Sequence, residues 1–289
     1  MRRLRRSLLK PGGIDLHVHT TASDGTLSPR QIVKEAAARG VTLLGITDHD
    51  TVLGLPEGET AARESGITLV PALELSVEME RREVHVLGYF VEAENAELRE
   101  VLSGIRERRN TRNDRILEQL KRLGAPLDPE RLREIAGEGS VGRPHIALAL
   151  VEAGHVASPQ EAFDRFLADR RPAFVPRALL SLEKACEMVR KAGGLPVLAH
   201  PAKLGSRRVW EKIVAVGIDG VEVYHSDHSA HQEAALLAFA REMSLFVTGG
   251  TDTHGWDSSR PIAVGSVTIP QWVGEELLAR APEWWTSSR

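Results

Sequence analysis

Scarcities in the 289-residue sequence exclude several classes of protein before any motif is considered. Cys186 is the only cysteine, so no intramolecular disulfide can form, and we expect a reducing, cytoplasmic location. Aromatic residues make up only 4% of the chain, and no aromatic platform for stacking RNA bases is evident. The net charge of −3 provides no global attraction to nucleic acids or membranes. An anionic partner must therefore bind a local patch.

The N-terminal residues are basic but lack a long apolar stretch. In "MRRLRRSLLKPGG" the apolar part is too short for a signal-peptide core or a membrane span. Residues 1–12 are interpreted as a solvated basic tail, with a phosphate-binding arm as the alternative. We expect no membrane partner and no DNA partner, and either a monomer or a small homo-oligomer.

Short β-rich apolar runs alternate with helical patterns along most of the chain. The run "IDLHVH" is followed by a predicted helix with Ser28 as N-cap, Pro29 in the first position, Gln31 completing a capping box and Gly40 at the end. Repeated strand-then-helix units predict parallel strands with helical crossovers, continuing to a last strand near residues 262–269. About seven such strands favour a barrel over an open sheet.

The rhythm changes between about residues 95 and 180, where helical patterns follow one another without a convincing strand. We therefore predict a barrel formed by residues 13–94 and 181–275, a helical insertion at 95–180 and a C-terminal tail at 276–289. A chain of this length can bury a sizeable core as one domain carrying an insertion.

Polar side chains with metal-binding chemistry stand at or near the ends of the predicted strands. In "IDLHVH" the two-residue period places Asp15, His17 and His19 on one face. Further imidazoles and carboxylates follow on the other strands, and one begins a helix of the insertion: Asp48, His49, Asp50, Glu74, His85, His145, His200, Glu222, His225, Asp252 and His254. In parallel α/β folds the chemistry gathers at the carboxyl ends of the strands.

Each of these groups alone has an ordinary explanation. A polar strand face, a helix cap, an ion pair or a hydrogen-bonded core histidine would account for any one of them. Their recurrence at successive strand ends favours a centre that holds more than one divalent ion, because imidazole and carboxylate together suit zinc, manganese and iron.

Seven motifs occur in order between about residues 13 and 268: "DLHVHTTASDG", "GITDHD", "ALELS", "VHVLGYF", "GRPHIALAL", "LAHP" and "GGTDTHG". In this set the sequence resembles the PHP (polymerase and histidinol phosphatase) family of metal-dependent phosphoesterases. Within that family it is most similar to the nucleoside 3′,5′-bisphosphate phosphatases and the related 5′–3′ exoribonucleases. The resemblance implies an α/β fold, a distorted (β/α)7 barrel with an inserted helical subdomain. It also implies three divalent ions, with manganese favoured and zinc, iron or magnesium as alternatives.

The same resemblance implies which residues bind the ions. The first ion would be held by His17, His19, Glu74 and Asp252, the second by Asp24, His49 and His254, and the third by Glu74, His85 and His145. Asp24 stands where some members carry histidine, and this harder oxygen ligand is compatible with manganese or magnesium as well as zinc.

Three other aspartates, Asp15, Asp48 and Asp50, have no ligand role in this assignment. We interpret them as groups that orient imidazoles or cap turns.

Divalent ions can generate hydroxide near neutral pH and neutralise phosphate oxygens, so we expect in-line attack without a covalent intermediate. His200 or His225 would protonate the leaving oxygen or bind phosphate, with a strand-end hydrogen bond as the alternative for each.

Substrate selection is predicted to lie in the insertion. Helical spacing in "IRERRNTRNDR" brings Arg106, Arg109 and Asn113 near one face, with Arg112 beside them. This face is either solvated or a second phosphate clamp. Arg143, two residues before His145, is the stronger candidate for binding a substrate phosphate.

The predicted function is hydrolysis of nucleotide phosphate monoesters, such as the 3′,5′-bisphosphate pAp, and of the 5′ ends of short RNA. A histidinol-phosphate phosphatase shares the chemistry and remains an alternative. A non-catalytic metal- or nucleotide-binding module is the alternative of another class, and it would be expected to lack ligands that are present here.

Overall fold

The computed structural model of the chain describes residues 12–137, 141–255 and 261–287, in which eight strands surround the predicted site. The strands are β1 (Gly13–Val18), β2 (Val41–Ile46), β3 (Thr68–Met79), β4 (Arg82–Tyr89), β5 (Leu180–Ser181), β6 (Leu195–Leu198), β7 (Gly220–His225) and β8 (Phe246–Gly250). Of the predicted basic tail, residues 1–11 lie outside the described part of the chain.

Helices connect these strands and form the insertion. They are α1 (Pro29–Ala38), α2 (Leu55–Ser65), α3 (Ala96–Arg122), α4 (Pro129–Ala136), α5 (Arg143–Glu152), α6 (Pro159–Ala162), α7 (Leu182–Lys191), α8 (Arg207–Val214), α9 (Ala230–Glu242), α10 (Gln271–Ala279) and α11 (Glu283–Ser287). No helix within the described ranges is long and apolar enough to cross a membrane.

The sheet is a nearly closed barrel with the strand order β1-β2-β3-β4-β6-β7-β8, while β5 pairs with β3. The ends of this path meet where Val18 and Thr253 form a parallel bridge. Gly250 permits the approach, because a Cβ there would lie 2.3 Å from the Cβ of His17. The distorted barrel predicted for this chain is confirmed.

One strand runs against the predicted direction. β4 is antiparallel to both β3 and β6, so the prediction of uniformly parallel strands is wrong there. Only Glu80 and Arg81 join β3 to β4, and both have positive φ angles of 50° and 64°. Two residues can turn a hairpin but cannot cross over to a parallel neighbour.

Local sequence signals set the helix ends as predicted. The Ser28 hydroxyl accepts a hydrogen bond from the Gln31 backbone N–H at 3.2 Å, and the Gln31 side chain accepts one from the Ser28 N–H at 2.8 Å. This capping box satisfies two amides that the first turn of α1 would otherwise leave unpaired.

The insertion has a hydrophobic cluster separate from that of the barrel. Helix α3 contributes to both clusters: Leu98 and Leu102 pack on the barrel core, whereas Ile116 and Leu120 pack with residues of α4 to α6. The long helix therefore fixes the insertion against one side of the barrel mouth.

The C-terminal region differs from its prediction. Within residues 261–269 the described chain is irregular, so the expected last strand is absent; here the Gly265 N–H donates to the buried Asp15 carboxylate at 2.8 Å. The segment predicted as a tail forms the end of α10 and α11, and Trp285, 2% exposed, packs edge-on against Phe90 at 5.0 Å between ring centroids. Burial of Leu277 and Trp285 explains why this segment folds onto the barrel.

Candidate metal centre

The predicted ligands from the strand ends meet at one mouth of the barrel. His17, His19 and Glu74 are completely buried, which is costly for polar groups unless they have partners. Two site residues have backbone conformations uncommon outside glycine: His200 has a φ of 29° and Asp252 a φ of 54°. Such strain persists where the surrounding fold imposes it, and it is common at functional sites.

Four donor atoms, from His17, His19, Glu74 and Asp252, surround a common point. His17 Nε2 lies 3.2 Å from His19 Nε2 and 3.3 Å from Glu74 Oε2. Asp252 Oδ1 lies 3.4 Å from His17 Nε2 and 3.1 Å from His19 Nε2. A tetrahedral ion with ligand distances of about 2.0–2.1 Å separates its ligands by roughly 3.3–3.4 Å. The geometry fits a divalent ion bound by the first predicted ligand set.

The second predicted set is also assembled. Asp24 Oδ1 lies 3.4 Å from His254 Nε2, and Asp24 Oδ2 lies 4.0 Å from His49 Nε2. The ligand atoms of these three residues and of His19 all lie within 4.8 Å of one another. His19 therefore stands between the two sets.

The third predicted set is only partly assembled. Glu74 Oε1 lies 2.8 Å from His85 Nδ1, as expected for a shared ligand of two ions. His145, however, belongs to no cluster of potential ligands among the described residues. Its Nδ1 accepts the Gly142 backbone N–H at 3.0 Å at the start of α5. His200 also approaches this carboxylate, with Nε2 3.0 Å from Glu74 Oε1.

Several buried polar atoms in this region have no hydrogen-bond partner. They are His19 Nδ1, Asp24 Oδ1, His49 Nδ1, His200 Nδ1 and His225 Nε2. Some of them face carboxylates at short distances without hydrogen-bond geometry; His49 Nδ1, for example, lies 3.1 Å from Glu74 Oε2. Leaving a buried polar atom unpaired costs about 1–3 kcal/mol. Donor atoms crowded in this way fit a cluster that binds cations.

The pKa shifts reveal strong coupling among these groups. Burial alone would raise the pKa of Glu74, but the facing His49, His85 and His17 hold it well below its usual range. Burial opposes protonation of His19, yet Asp252 and Glu74 raise its pKa to about 10. The ionised carboxylates therefore favour protonated imidazoles beside them, and these protons occupy the positions that divalent ions would take.

Residues without a predicted ligand role support the site. Glu222 is fully buried, accepts His17 Nδ1–H at 2.9 Å and accepts the His200 backbone N–H at 2.8 Å. The first contact leaves the Nε2 lone pair of His17 directed at the four-donor set, as hydrogen-bonded carboxylates do for metal-binding histidines. The sequence places Glu222 on a strand among the other polar residues but predicts no function for it.

The three aspartates of unassigned role accept hydrogen bonds that join separate segments of the chain. Asp15 accepts hydrogen bonds from the backbone and hydroxyl of Thr251 at 2.9 and 2.7 Å. Asp48 accepts hydrogen bonds from the Thr20 backbone and hydroxyl, both at 2.7 Å, which fixes the loop that carries Asp24. Asp50 accepts the Ser76 N–H at 3.0 Å and also pairs with Arg109. The contacts of Asp15 and Asp50 reach residues far away in sequence, so these carboxylates hold separate segments of the chain together.

A cleft opens from the centre towards the insertion. It is lined by Asp24, His49 and His85 of the centre and by four arginines, Arg109, Arg112, Arg143 and Arg177. Arg112 is 8% exposed, its Nη2 has no hydrogen-bond partner, and burial together with Arg143 and Arg177 lowers its pKa to about 10. An unpaired buried cation with cationic neighbours makes the cleft attractive to anions.

The structure changes the predicted substrate-binding set. Arg143 and Arg109 line the cleft, but Arg106 and Asn113 do not. Asn113 is buried and donates to the Val141 carbonyl at 2.8 Å, and Arg106 is exposed about one turn before Arg109 in α3. Arg177 received no role from the sequence, because nothing local marks it; it reaches the cleft through contacts with Ser76 and Glu83.

Comparisons with known proteins agree with this architecture. Residues 15–166 match the PHP domain family. The chain is 33% identical to a 5′-3′ exoribonuclease of Haemophilus influenzae, over 89% of this chain and 97% of that protein. It is 32% identical to a 3′,5′-nucleoside bisphosphate phosphatase of Chromobacterium violaceum, over 83% and 87%. A solved structure from Bifidobacterium adolescentis, assigned as a metal-dependent phosphoesterase, superposes with a TM-score of 0.84 at 31% identity, covering 95% of this chain and 98% of that one.

Proposed function

Because this chain belongs to the PHP family of phosphoester hydrolases, we propose that it hydrolyses nucleotides bearing phosphates at both the 3′ and 5′ positions, such as pAp, and also acts on the 5′ ends of short RNA. One observation carries the proposal: potential metal ligands and a group of arginines line the same cleft. Such a cleft suits a substrate with one phosphate at the metal centre and a second anionic group nearby.

The four-donor set, the Asp24 set and the Glu74 set would hold divalent ions, in the last case with His85 and His200. Bound divalent ions would lower the pKa of a water nucleophile and neutralise phosphate charge. Manganese is the preferred candidate, with zinc, iron or magnesium as alternatives, and three ions are proposed.

The chain's own residues would position the substrate. The Arg143 side chain is 26% exposed, and the acid that pairs with it, Asp169, lies 3.6 Å away and is 82% exposed. Water therefore weakens this pairing and leaves the Arg143 charge available to a substrate. Arg112 donates its Nε–H to the Val175 carbonyl at 2.7 Å, and its Nη2 has no hydrogen-bond partner among the described residues. Arg109, by contrast, is paired with Asp50 in a buried contact, so its charge is largely neutralised. We therefore assign the second phosphate to Arg143 and Arg112, with Arg177 at the edge, and give Arg109 a supporting role.

The named relatives support a nucleotide substrate over a binding role without catalysis. One is named for an exoribonuclease activity and another for a nucleoside bisphosphate phosphatase activity, and both are hydrolases of phosphoesters. Histidinol phosphate has one phosphate and a cationic end, which the arginines of this cleft would repel.

The test compares Arg143→Ala with wild type on pAp, on a simple aryl phosphate and on histidinol phosphate, after loading with manganese. A charge-assisted hydrogen bond contributes about 1.5–3 kcal/mol, so kcat/KM for pAp should fall by about 10- to 150-fold. The aryl phosphate, which has no second phosphate, should lose much less. Steady-state kinetics across the three substrates measures both effects.

Arg165→Ala is the matched control, since Arg165 is an exposed arginine of the insertion paired with Glu161. It should retain wild-type kinetics on all substrates. Equal losses for pAp and the aryl phosphate in Arg143→Ala would remove the second-phosphate role. Faster hydrolysis of histidinol phosphate than of pAp by wild type would favour the alternative substrate.

A further inference from the structure

The hydrogen bonding of His225 differs from that of His17 and His254, two predicted ligands at the centre. Its Nδ1 accepts the backbone N–H of Asp227 at 2.9 Å. The Asp227 carboxylate, 3.9 Å from the same nitrogen, is too far away to accept a hydrogen bond. The Nδ1 lone pair is therefore in use, and the ring proton must lie on Nε2.

The inward nitrogen of His225 thus carries a hydrogen, whereas a metal ligand must present a lone pair there. His17 shows the opposite arrangement: its Nδ1–H donates to Glu222, which leaves Nε2 free to bind an ion. His254 resembles His17, because its Nδ1 lies 3.0 Å from the Asp252 carbonyl and can only donate to it.

His225 also belongs to a group of potential ligands with His17 and Glu222, all fully or almost fully buried. That group is already saturated. Glu222 uses one oxygen for His17 Nδ1 and the other for the His200 N–H, and no lone pair of His225 points inward. This trio fits an orienting network better than an ion site.

The Nε2–H of His225 is buried and lacks a hydrogen-bond partner. The nearest acceptor, Asp252 Oδ2, lies 3.4 Å away without hydrogen-bond geometry, and it also has Lys203 Nζ at 3.3 Å. The other oxygen of the same carboxylate belongs to the four-donor set. The Nε2–H of His225 is therefore a buried donor directly beside the four-donor set.

We propose that His225 is a fixed N–H donor that binds an oxygen of the substrate phosphate, and that it is not a metal ligand. The inference rests on the metal centre proposed above. It selects between the two histidines considered for contact with phosphate, since His200 faces Glu74 through a nitrogen and is assigned to the ions.

Two variants separate the roles. His225→Gln keeps an amide N–H near the position of Nε2, and His225→Leu removes it. Both should retain the wild-type number of metal ions per chain after manganese loading and desalting, whereas the ligand control His17→Gln should lose metal. Loss of an ion from either His225 variant would overturn the proposal.

Binding of inorganic phosphate to the loaded protein gives the second readout, measured as competitive inhibition. A neutral hydrogen bond predicts about 3- to 10-fold weaker phosphate inhibition in His225→Leu, with recovery in His225→Gln. Unchanged phosphate inhibition in His225→Leu would contradict the role.

Nitrogen NMR of the metal-free wild-type protein, labelled at histidine, tests the tautomer without any substitution. We expect His225 to be protonated on Nε2 alone, and a proton on Nδ1 would overturn the inference even if both variants failed to fold. Absence of metal binding or of phosphoester hydrolysis in wild type would instead count against the proposed function and leave the tautomer result standing.

Discussion

Individual carboxylates in this protein act through the imidazoles they contact. Glu222 never faces the cleft, yet its contact with His17 Nδ1 determines which nitrogen of that ring faces the four-donor set. Buried His17 and three carboxylates, those of Glu222, Glu74 and Asp252, form one coupled unit in which burial lowers the pKa of His17 and the carboxylates raise it well above its ordinary value. The orientation of a ligand is therefore as important as its presence.

Glu222→Gln tests this at the residue scale. Glutamine cannot accept from both the His17 ring and the His200 N–H with the same two oxygens, so His17 should be less well oriented. Loss of such an outer contact typically weakens metal binding by about 10- to 100-fold. Metal titration of the variant against Glu211→Gln, a change on exposed α8, measures the effect; equal affinities would show that Glu222 does not orient the ligand.

Helix α3 connects the insertion to the metal-binding loops. Its Arg109 pairs with Asp50, with side chains only 10% and 5% exposed, and Asp50 also holds the backbone of Ser76. Asp50 directly follows the ligand His49 in the chain. The position of the insertion and the position of that ligand are thus linked through one buried ion pair.

At the element scale, Arg109→Met should lower the free energy of unfolding by about 3–5 kcal/mol, because it leaves the Asp50 charge buried and unpaired. Arg109→Met combined with Asp50→Asn should lose much less than the sum of the single changes. Urea denaturation of the set gives the coupling energy. Arg165→Met, which removes an exposed ion pair, should change stability by less than about 1 kcal/mol; additive effects at Arg109 and Asp50 would contradict the link.

For the whole molecule, the metal-free charge cluster makes stability depend on pH in both directions. His17, His19 and His85 have raised pKa values, to about 10 for the last two, despite burial that lowers them. Their stabilising protons are fully bound below pH 6.5 and are lost as the pH rises towards 10. Burial lowers the pKa of His49 to about 3 and of His200 to about 4, so these two oppose folding as the pH falls below 6.5.

Glu74 and Asp252 act in the same direction as His49 and His200 on the acid side. Burial raises the pKa of Glu74 and Asp252, but facing histidines lower both well below their usual range, so their stabilisation is lost in acid. The metal-free protein should therefore be most stable near pH 6.5, with a thermal midpoint that falls towards pH 10. In manganese-loaded protein the thermal midpoint should fall less between pH 6.5 and pH 10, since ions replace the protons. Thermal midpoints that depend on pH in the same way with and without a chelator would contradict this.

Much of the metal centre was predictable because its signals are local. The period of two in "IDLHVH" places His17 and His19 on one face, and "TDHD" and "TDTH" directly follow strands. Likewise, the capping box at Ser28 involves neighbours in sequence and formed as predicted. The antiparallel pairing of β3 with β4 was missed because the apolar pattern of a strand is the same whether it runs parallel or antiparallel to its neighbour.

By itself the sequence determined the strand and helix rhythm, the barrel and the side chains offered at the strand ends, because each depends on periodicity and residue type within a few positions. Only the tertiary structure showed which donor atoms lie together, since the barrel brings Asp252 to His17 from the other end of the chain. The fold also places His200 beside Glu74, and Arg112 and Arg177 at the cleft. These outcomes depend on strand register and helix docking, which act between residues far apart in sequence.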